Sequence, residues 1–532
     1  MSRLTVGESL RSFFEEIDPV PFGVGAVLVA VFLAYTVYDV SAVERAIGQA
    51  FTVFGEGLAW LYLGGMLVLV GLSTYLMLGP FASVKLGDGD PEYGYASYVA
   101  MFFSAGLSAG IVFFGPAEAL GYYDSVPPLF AGSAEAGTQS AIVPAVAYTI
   151  FHYGISAWGG YLAIGLPVAY FAYNHGAPFR VSTVLYPVLG EGGLDSPVGR
   201  AVDTLAVVAT IGGIATGLGF IATQLLSGIT FGTGREFSDT ETLAAIAGIT
   251  TLFTMSLVAG VSRGIRRVSQ FNMGLMGILL VVALVFGPTA LLLNTGVAAM
   301  GTYATNFFQM SLFTGASGGT AWTTAWTVFY WSWWIAWAPF VGLFLARVSR
   351  GRTIRTVVGT AFLTMTVTSA LWFTVVGGSS VWLQHTGGAD LLAATAEFGS
   401  GVAGFALYAA FPGGTVWQAL FFVLVTTFFV TSADSSTLAI GMLTTGGKRD
   451  PSGLNRAFWG VAQGLIAAVL VVVGGAAALR SSVIVTGAPF AVICLVSMGS
   501  FVRWLRRRES VGDEPATSRP APDATAASSP DD

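Results

Sequence analysis

Residues 329–342 read FYWSWWIAWAPFVG. Trp331, Trp333, Trp334 and Trp337 place four of the chain's 13 tryptophans within seven positions, and no charge follows until Arg347. On a helix Trp333 and Trp337 are i,i+4 and Trp334 and Trp337 are i,i+3, so these three share one broad face. Tryptophan in an apolar segment ordinarily marks the interfacial belt of a bilayer. That reading fails for Trp333 and Trp334, which lie about half a helix length from the nearest arginines. Packing between helices and a cage of ring faces around a ligand are the two readings left.

The rest of the chain says which solvent surrounds this stretch. Of 532 residues, 54% are hydrophobic and only 10% charged, against roughly 25% charged in an ordinary soluble domain. Mean hydropathy is +0.73. So little polar surface cannot coat a globule in water, and the solvent is lipid. A single cysteine, Cys494, excludes a disulfide framework within the chain, and the net charge of -6 suggests no nucleic-acid partner. Glu8, Glu15, Glu16 and Asp18 precede the first apolar run, which does not fit a cleavable signal.

A spanning helix needs about 20 apolar residues. Twelve runs qualify: about 22–40, 58–80, 96–121, 141–173, 202–230, 242–261, 271–296, 322–346, 354–382, 415–445, 456–478 and 481–504. Unpaired strand edges are excluded from lipid, so helices are expected throughout. With the N-terminus inside, 20 of the 23 Lys and Arg residues fall on inner segments; only Arg45, Arg235 and Arg480 fall outside. That bias supports an even number of spans in the cell membrane with both termini cytoplasmic. The outer segments 122–140, 297–321 and 383–414 carry no Lys or Arg and are expected to be loops. The expected organisation is a cytoplasmic segment 1–19, a transmembrane domain 20–505 and a short acidic Pro/Ala/Ser-rich tail 506–532. The RWLRRRES segment before the tail suits an anchor at the anionic inner surface or a regulatory contact with it.

The third run contains FSAGLSAGIVFFG, with Gly106, Gly110 and Gly115 among small residues. Such residues let helices pack closely in lipid, or let a helix unwind and offer carbonyls to a ligand. Ionisable residues in or near the runs are few: Glu118, His152, Asp203 and Asp434. His152 suits a hydrogen-bonded interior residue, and Asp434 lies in TSADSS, where neighbouring hydroxyls suit a structural role. No carboxylate pair, His/Cys cluster or nucleophile constellation stands out, so an enzyme finds little support. Aromatic residues recur at helical spacing instead. In the fourth run HYGISAWGGY places Trp158 and Tyr161 at i,i+3, with Tyr153 a turn earlier. Ring faces can hold a cation that donates no hydrogen bond, such as a quaternary ammonium, at about 2 kcal/mol or more per desolvated contact. They do so without burying a carboxylate, which would also repel the acid end of a zwitterion.

FYWSWWIAWAPFVGLFLARVSRGRTIR resembles the signature of the betaine/choline/carnitine transporter (BCCT) family. The resemblance continues through the glycine stretch, the aromatic fourth run and FFVTSADSS, across nearly all of residues 20–505. It implies an all-α membrane protein of twelve transmembrane helices. Two LeuT-like inverted repeats of five helices (about 96–296 and 322–504) follow two extra helices. It further implies alternating access about a midplane site and a homotrimer in the bilayer. Carried over residue by residue, the aromatic box comprises Trp158, Tyr161, Trp333, Trp334 and Trp337. Tyr153 takes a position often occupied by Trp in betaine carriers, and Phe329 and Trp331 flank the permeation path. The resemblance also includes Gly106, Ser108 and Gly110, with Ser108 departing from the commoner GxGxG form.

No resident cofactor is expected; the coupling ion is Na+. Sodium prefers hard oxygen ligands. The resemblance implies a first site from the hydroxyls of Thr431 and Ser432 with the carbonyls of Ala105, Leu107 and Phe428. A second would use Thr210 beside Phe340, but Ile214 stands where the family has a second threonine, which weakens it. Family members driven by protons carry an aspartate at the position of Gly110, and the sodium-independent exchanger carries an arginine in the fifth span. Neither is present, which favours a sodium-driven importer of glycine betaine. A proton-coupled choline importer or a carnitine-type exchanger is the alternative within the family, and a membrane sensor that does not transport is the alternative of another class.

Overall fold

The computed structural model describes residues 6–106, 108–258, 262–448 and 450–511. Among them, regular structure is helical, and strand-like pairing is confined to an isolated bridge between Lys85 and Thr353. Seven helices are long and apolar enough to cross a membrane, or up to nine if each of two bent pairs counts as one span. The helices start and stop where local chemistry directs. Pro19–Tyr38 begins with proline at its first turn and with the Asp18 carboxylate accepting from the Val20 amide (3.3 Å). Pro197–Thr233 begins on the same pattern under Ser196, and ends at Gly234, whose φ of 70° suits only glycine readily.

Burial separates a centre from a periphery. In the windows of Gln139–His175, Pro197–Thr233 and Thr320–Val348, 89% of residues are buried, against 22% in Pro19–Tyr38 and 39% in Ala59–Leu78. The tryptophan helix, Phe329–Val348, therefore lies at the centre. It packs along Ile155–His175 and also against Pro197–Thr233 and Gly453–Val511. The contact with Ile155–His175 is close because glycines face each other. A Cβ on Gly165 would lie 3.2 Å from the Gly342 carbonyl oxygen, and one on Gly342 would lie 2.6 Å from the Ile164 Cβ. In lipid, where apolar surface alone does not drive helices together, small residues of this kind permit the contact.

Several helices are interrupted. Tyr95–Gly106 and Gly110–Asp124 meet at 68° across the glycine stretch. The fourth run breaks at Gly154 into Gln139–Tyr153 and Ile155–His175. Gly453–Val511 would be about 90 Å long if straight, nearly three hydrocarbon thicknesses. It leaves helical geometry at Gly474 and Gly475, which divides it close to the gap between the last two runs.

Three sequence expectations need correction. The seventh run, expected over 271–296, ends at Phe286, and a 24-residue helix Thr289–Leu312 departs at 110°. Pro288 explains the end, since it has no amide hydrogen and biases Gly287 away from helical geometry. The segment 297–321 is thus largely helix rather than loop. It buries Leu292, Gly296, Ala299, Tyr303 and Met310 at helical spacing while Leu293, Val297 and Phe308 are exposed. The segment 383–414 likewise holds helices Leu391–Phe398 and Ala403–Ala409. The last helix continues through its basic end to Val511, and residues 512–532 lie outside the described part.

Candidate functional site

The residues expected to form the aromatic box come together deep in the centre. Trp158 and Tyr161 are 0% exposed, Trp333 1%, Trp334 2% and Trp337 6%. The Trp333 and Trp334 indoles lie 5.6 Å apart, centroid to centroid, and 7° from parallel. Other rings meet this pair nearly at right angles. Trp337 meets Trp333 at 83° and 6.1 Å, Tyr161 meets Trp334 at 80° and 6.0 Å, and Tyr153 meets Trp334 at 76° and 5.1 Å. Trp158 extends the set by an edge contact with Tyr161 (5.6 Å, 85°). The centroids of neighbouring rings in this set lie 5.1–6.1 Å apart.

Backbone carbonyls hold the planes. Trp333 Nε1 donates to Gly213 (3.1 Å), Trp334 Nε1 to His152 (2.9 Å), and the Tyr161 hydroxyl to Gly106 (3.1 Å). The indole N–H groups of Trp158, Trp331 and Trp337 are buried without a hydrogen-bond partner. The glycine stretch forms one wall. A Cβ on Gly106 would lie 2.5 Å from Trp158 Cη2, and one on Gly110 would meet the Tyr153 hydroxyl at 3.1 Å and Trp333 at 3.2 Å. Close approach of backbone to ring is thus part of what these glycines do, alongside the break in the helix.

Phe329 and Trp331 separate. Phe329 stacks on Trp333 (5.3 Å, 30°), one turn away on the box face. Trp331 turns aside and meets Phe151 (5.1 Å) and His152 (5.7 Å) edge-on. Among the residues considered for sodium, Ala105 and Phe428 are buried. The Thr431 hydroxyl donates to the carbonyls of Thr427 (3.2 Å) and Phe428 (3.1 Å) and accepts from Asn272 Nδ2 at 3.5 Å. Thr210 Oγ1 is buried with no hydrogen-bond partner, and Phe340 lies 6.2 Å from Trp337. Leu107 lies outside the described residues, as do the side chains of Ser108 and Ser432.

Next to the box lies a polar cluster whose members the sequence listed only in part. The Glu118 carboxylate, 0% exposed, accepts from Tyr122 (2.8 Å) and His152 Nδ1 (2.8 Å) on Oε1 and from Tyr330 (2.6 Å) on Oε2. His152 Nε2 pairs with the Thr327 hydroxyl (3.1 Å), inside the π-helical turn Thr324–Val328 that leads into the tryptophan helix. His152 is thus the hydrogen-bonded interior residue expected. The Arg480 guanidinium lies over the Trp326 ring (4.4 Å) and the Phe329 ring (5.4 Å). The i,i+4 spacing of Glu118 and Tyr122 was visible in the sequence, but nothing local linked them to Tyr330 or His152.

Comparison with known proteins places this arrangement. The profile of the betaine/carnitine/choline family transporters (BCCT) matches residues 20–510. The chain belongs to this family, and is a multi-pass membrane transporter rather than an enzyme. It is 38% identical over 467 residues to a glycine betaine transporter of Bacillus subtilis, covering 87% of this chain and 89% of the relative. It is 37% identical over 497 residues to an uncharacterized transporter of Mycobacterium tuberculosis, covering 92% and 82%. To an ectoine/hydroxyectoine transporter of Virgibacillus pantothenticus it is 35% identical over 462 residues, covering 86% and 90%. The family is named for betaine, carnitine and choline, which are small quaternary ammonium compounds.

Proposed function

We propose that this transporter imports a quaternary ammonium compatible solute, glycine betaine first, by sodium symport with alternating access at the aromatic box. The observation that carries this reading is the set of buried rings from two helices, the near-parallel Trp333 and Trp334 met at right angles by Tyr161 and Trp337, with Trp158 edge-on to Tyr161, beside Gly106 and Gly110. A trimethylammonium group has no N–H to donate, and ring centroids within about 6 Å stabilise its charge without a carboxylate. Closure of the rings around the solute excludes water. Relatives named for glycine betaine and for ectoine support a compatible solute.

Sodium is the second cargo. The Thr431 hydroxyl spends its hydrogen on its own helix and one lone pair on the 3.5 Å contact from Asn272, which leaves one lone pair for a hard cation. Thr210 offers one buried oxygen without a partner, but its neighbour a turn on is Ile214, which offers none. One coupled ion is therefore the simpler reading. The two inverted repeats behind two leading helices, the cytoplasmic termini and a homotrimeric assembly belong to the same proposal.

Uptake by proteoliposomes of labelled betaine, choline, carnitine and ectoine, each under a sodium or a proton gradient, tests it. Betaine accumulation driven by sodium is expected. Accumulation driven only by protons, or only by exchange, overturns the coupling, and binding of solute without movement makes the protein a sensor.

A further inference from the structure

The buried Glu118 is a feature of the centre that the proposed transport cycle leaves without a task. A carboxylate inside a membrane protein costs several kcal/mol unless paired, and here it gathers three donors from three helices. It lies eight residues beyond Gly110, about 12 Å along the helix, so it does not touch a ligand in the box. Its partners do border the box. Tyr330 lies between the His152 imidazole (4.5 Å, 25°) and the Trp334 indole (6.0 Å, 25°), and Trp333 follows at 7° from Trp334. Tyr330 also reaches Trp333 at 6.4 Å and 32°, so Tyr330, Trp334 and Trp333 form a triangle of rings, with the His152 imidazole stacked on Tyr330. His152 also supplies the carbonyl that receives Trp334 Nε1. Two of the neighbours that hold Trp334, Tyr330 and His152, thus have side chains tied to one carboxylate.

We propose that Glu118 is a positioning residue for cation binding: through Tyr330 and His152 it fixes the Trp334 plane and enriches these rings in negative charge. The physical basis is simple. Cation–π attraction depends on the negative ring face and on its orientation. A phenol that donates a short hydrogen bond to a carboxylate gains electron density in its ring, and hydrogen-bonded groups in a low dielectric polarise one another. A purely structural role, holding helices together, would draw equally on all three donors. The proposed role draws chiefly on Tyr330, whose ring borders Trp334 and Trp333; Tyr122 shares the contact with His152 Nδ1 (2.9 Å), but its ring packs against Trp322 and Trp326.

This inference rests on the box being the substrate site, and the test separates the two. The full chain is reconstituted in proteoliposomes, and sodium-driven uptake of labelled glycine betaine is followed for Glu118→Gln, Tyr330→Phe and Tyr122→Phe. Glu118→Gln and Tyr330→Phe are expected to raise KM at least fivefold with the maximal rate within twofold. The double variant should be no more than twofold worse than the poorer single one, because both act through one bond. Tyr122→Phe should lower thermal stability comparably yet keep KM within twofold. An unchanged KM in Tyr330→Phe, or an equal rise in Tyr122→Phe, overturns the proposal while leaving the box intact. If Glu118→Gln does not assemble, the two Phe variants carry the test alone. If the wild type takes up no quaternary ammonium solute, the box falls as substrate site, and this role with it.

Discussion

Trp337→Leu isolates the ring face better than any other substitution in the box. Trp337 is 6% exposed, its Nε1 has no hydrogen-bond partner, and its ring stands at 83° to Trp333. Leucine keeps an apolar side chain there and orphans no polar group. By contrast, Trp334→Leu would leave the His152 carbonyl unpaired in the interior, at about 1–3 kcal/mol of stability, and would mix folding with binding. A desolvated ring face contributes about 2 kcal/mol to a bound quaternary ammonium. At 1.4 kcal/mol per decade, Trp337→Leu should weaken glycine betaine binding roughly 25-fold. Trp337→Phe retains a ring face and should lose much less, about threefold. Equilibrium binding by titration calorimetry at saturating sodium measures both, with gel filtration reporting assembly. Wild-type affinity in an assembled Trp337→Leu protein would refute the cage and leave the tryptophans as packing.

Gly106→Ala places a methyl 2.5 Å from Trp158 Cη2, an indole edge that stacks on Phe102 at 5.8 Å and has little room to yield. Overpacking of this kind costs about 1–3 kcal/mol, so uptake and thermal stability should both fall, and the smaller ring of Trp158→Phe should recover the stability in the double variant. Thr431→Ala should raise the sodium concentration for half-maximal uptake while betaine affinity at saturating sodium changes little. Because coupling is reciprocal, betaine titrations at several sodium concentrations must show the same factor; an unchanged sodium dependence removes Thr431 from the ion site. With Ile214 in place of a hydroxyl residue, sodium activation of uptake should give a Hill coefficient near one, and a value near two would restore a second site.

Segment 297–321 shows where local pattern misleads. It lacks charge and follows a hydrophobic run, so hydropathy extends that run and leaves a loop behind it. The Gly287–Pro288 step instead ends the run and starts a helix at 110° to it. Proline there was readable; the direction of the new helix was not, because packing against Gln139–Tyr153 and Ala59–Leu78 sets it.

The sequence by itself determined the lipid solvent, the helical character of the apolar runs and the shared face of Trp333, Trp334 and Trp337. These are consequences of composition and of the 3.6-residue period, which act within a single helix. Tertiary structure decided that Trp331 faces Phe151 while Phe329 stacks on Trp333. It also decided that Glu118, Tyr122, His152, Thr327 and Tyr330 meet at one point. Contacts between helices in lipid depend on shape, on small residues and on hydrogen bonds rather than on apolar surface. A partner on another helix therefore leaves no periodic mark in the chain, and only the packed helices reveal it.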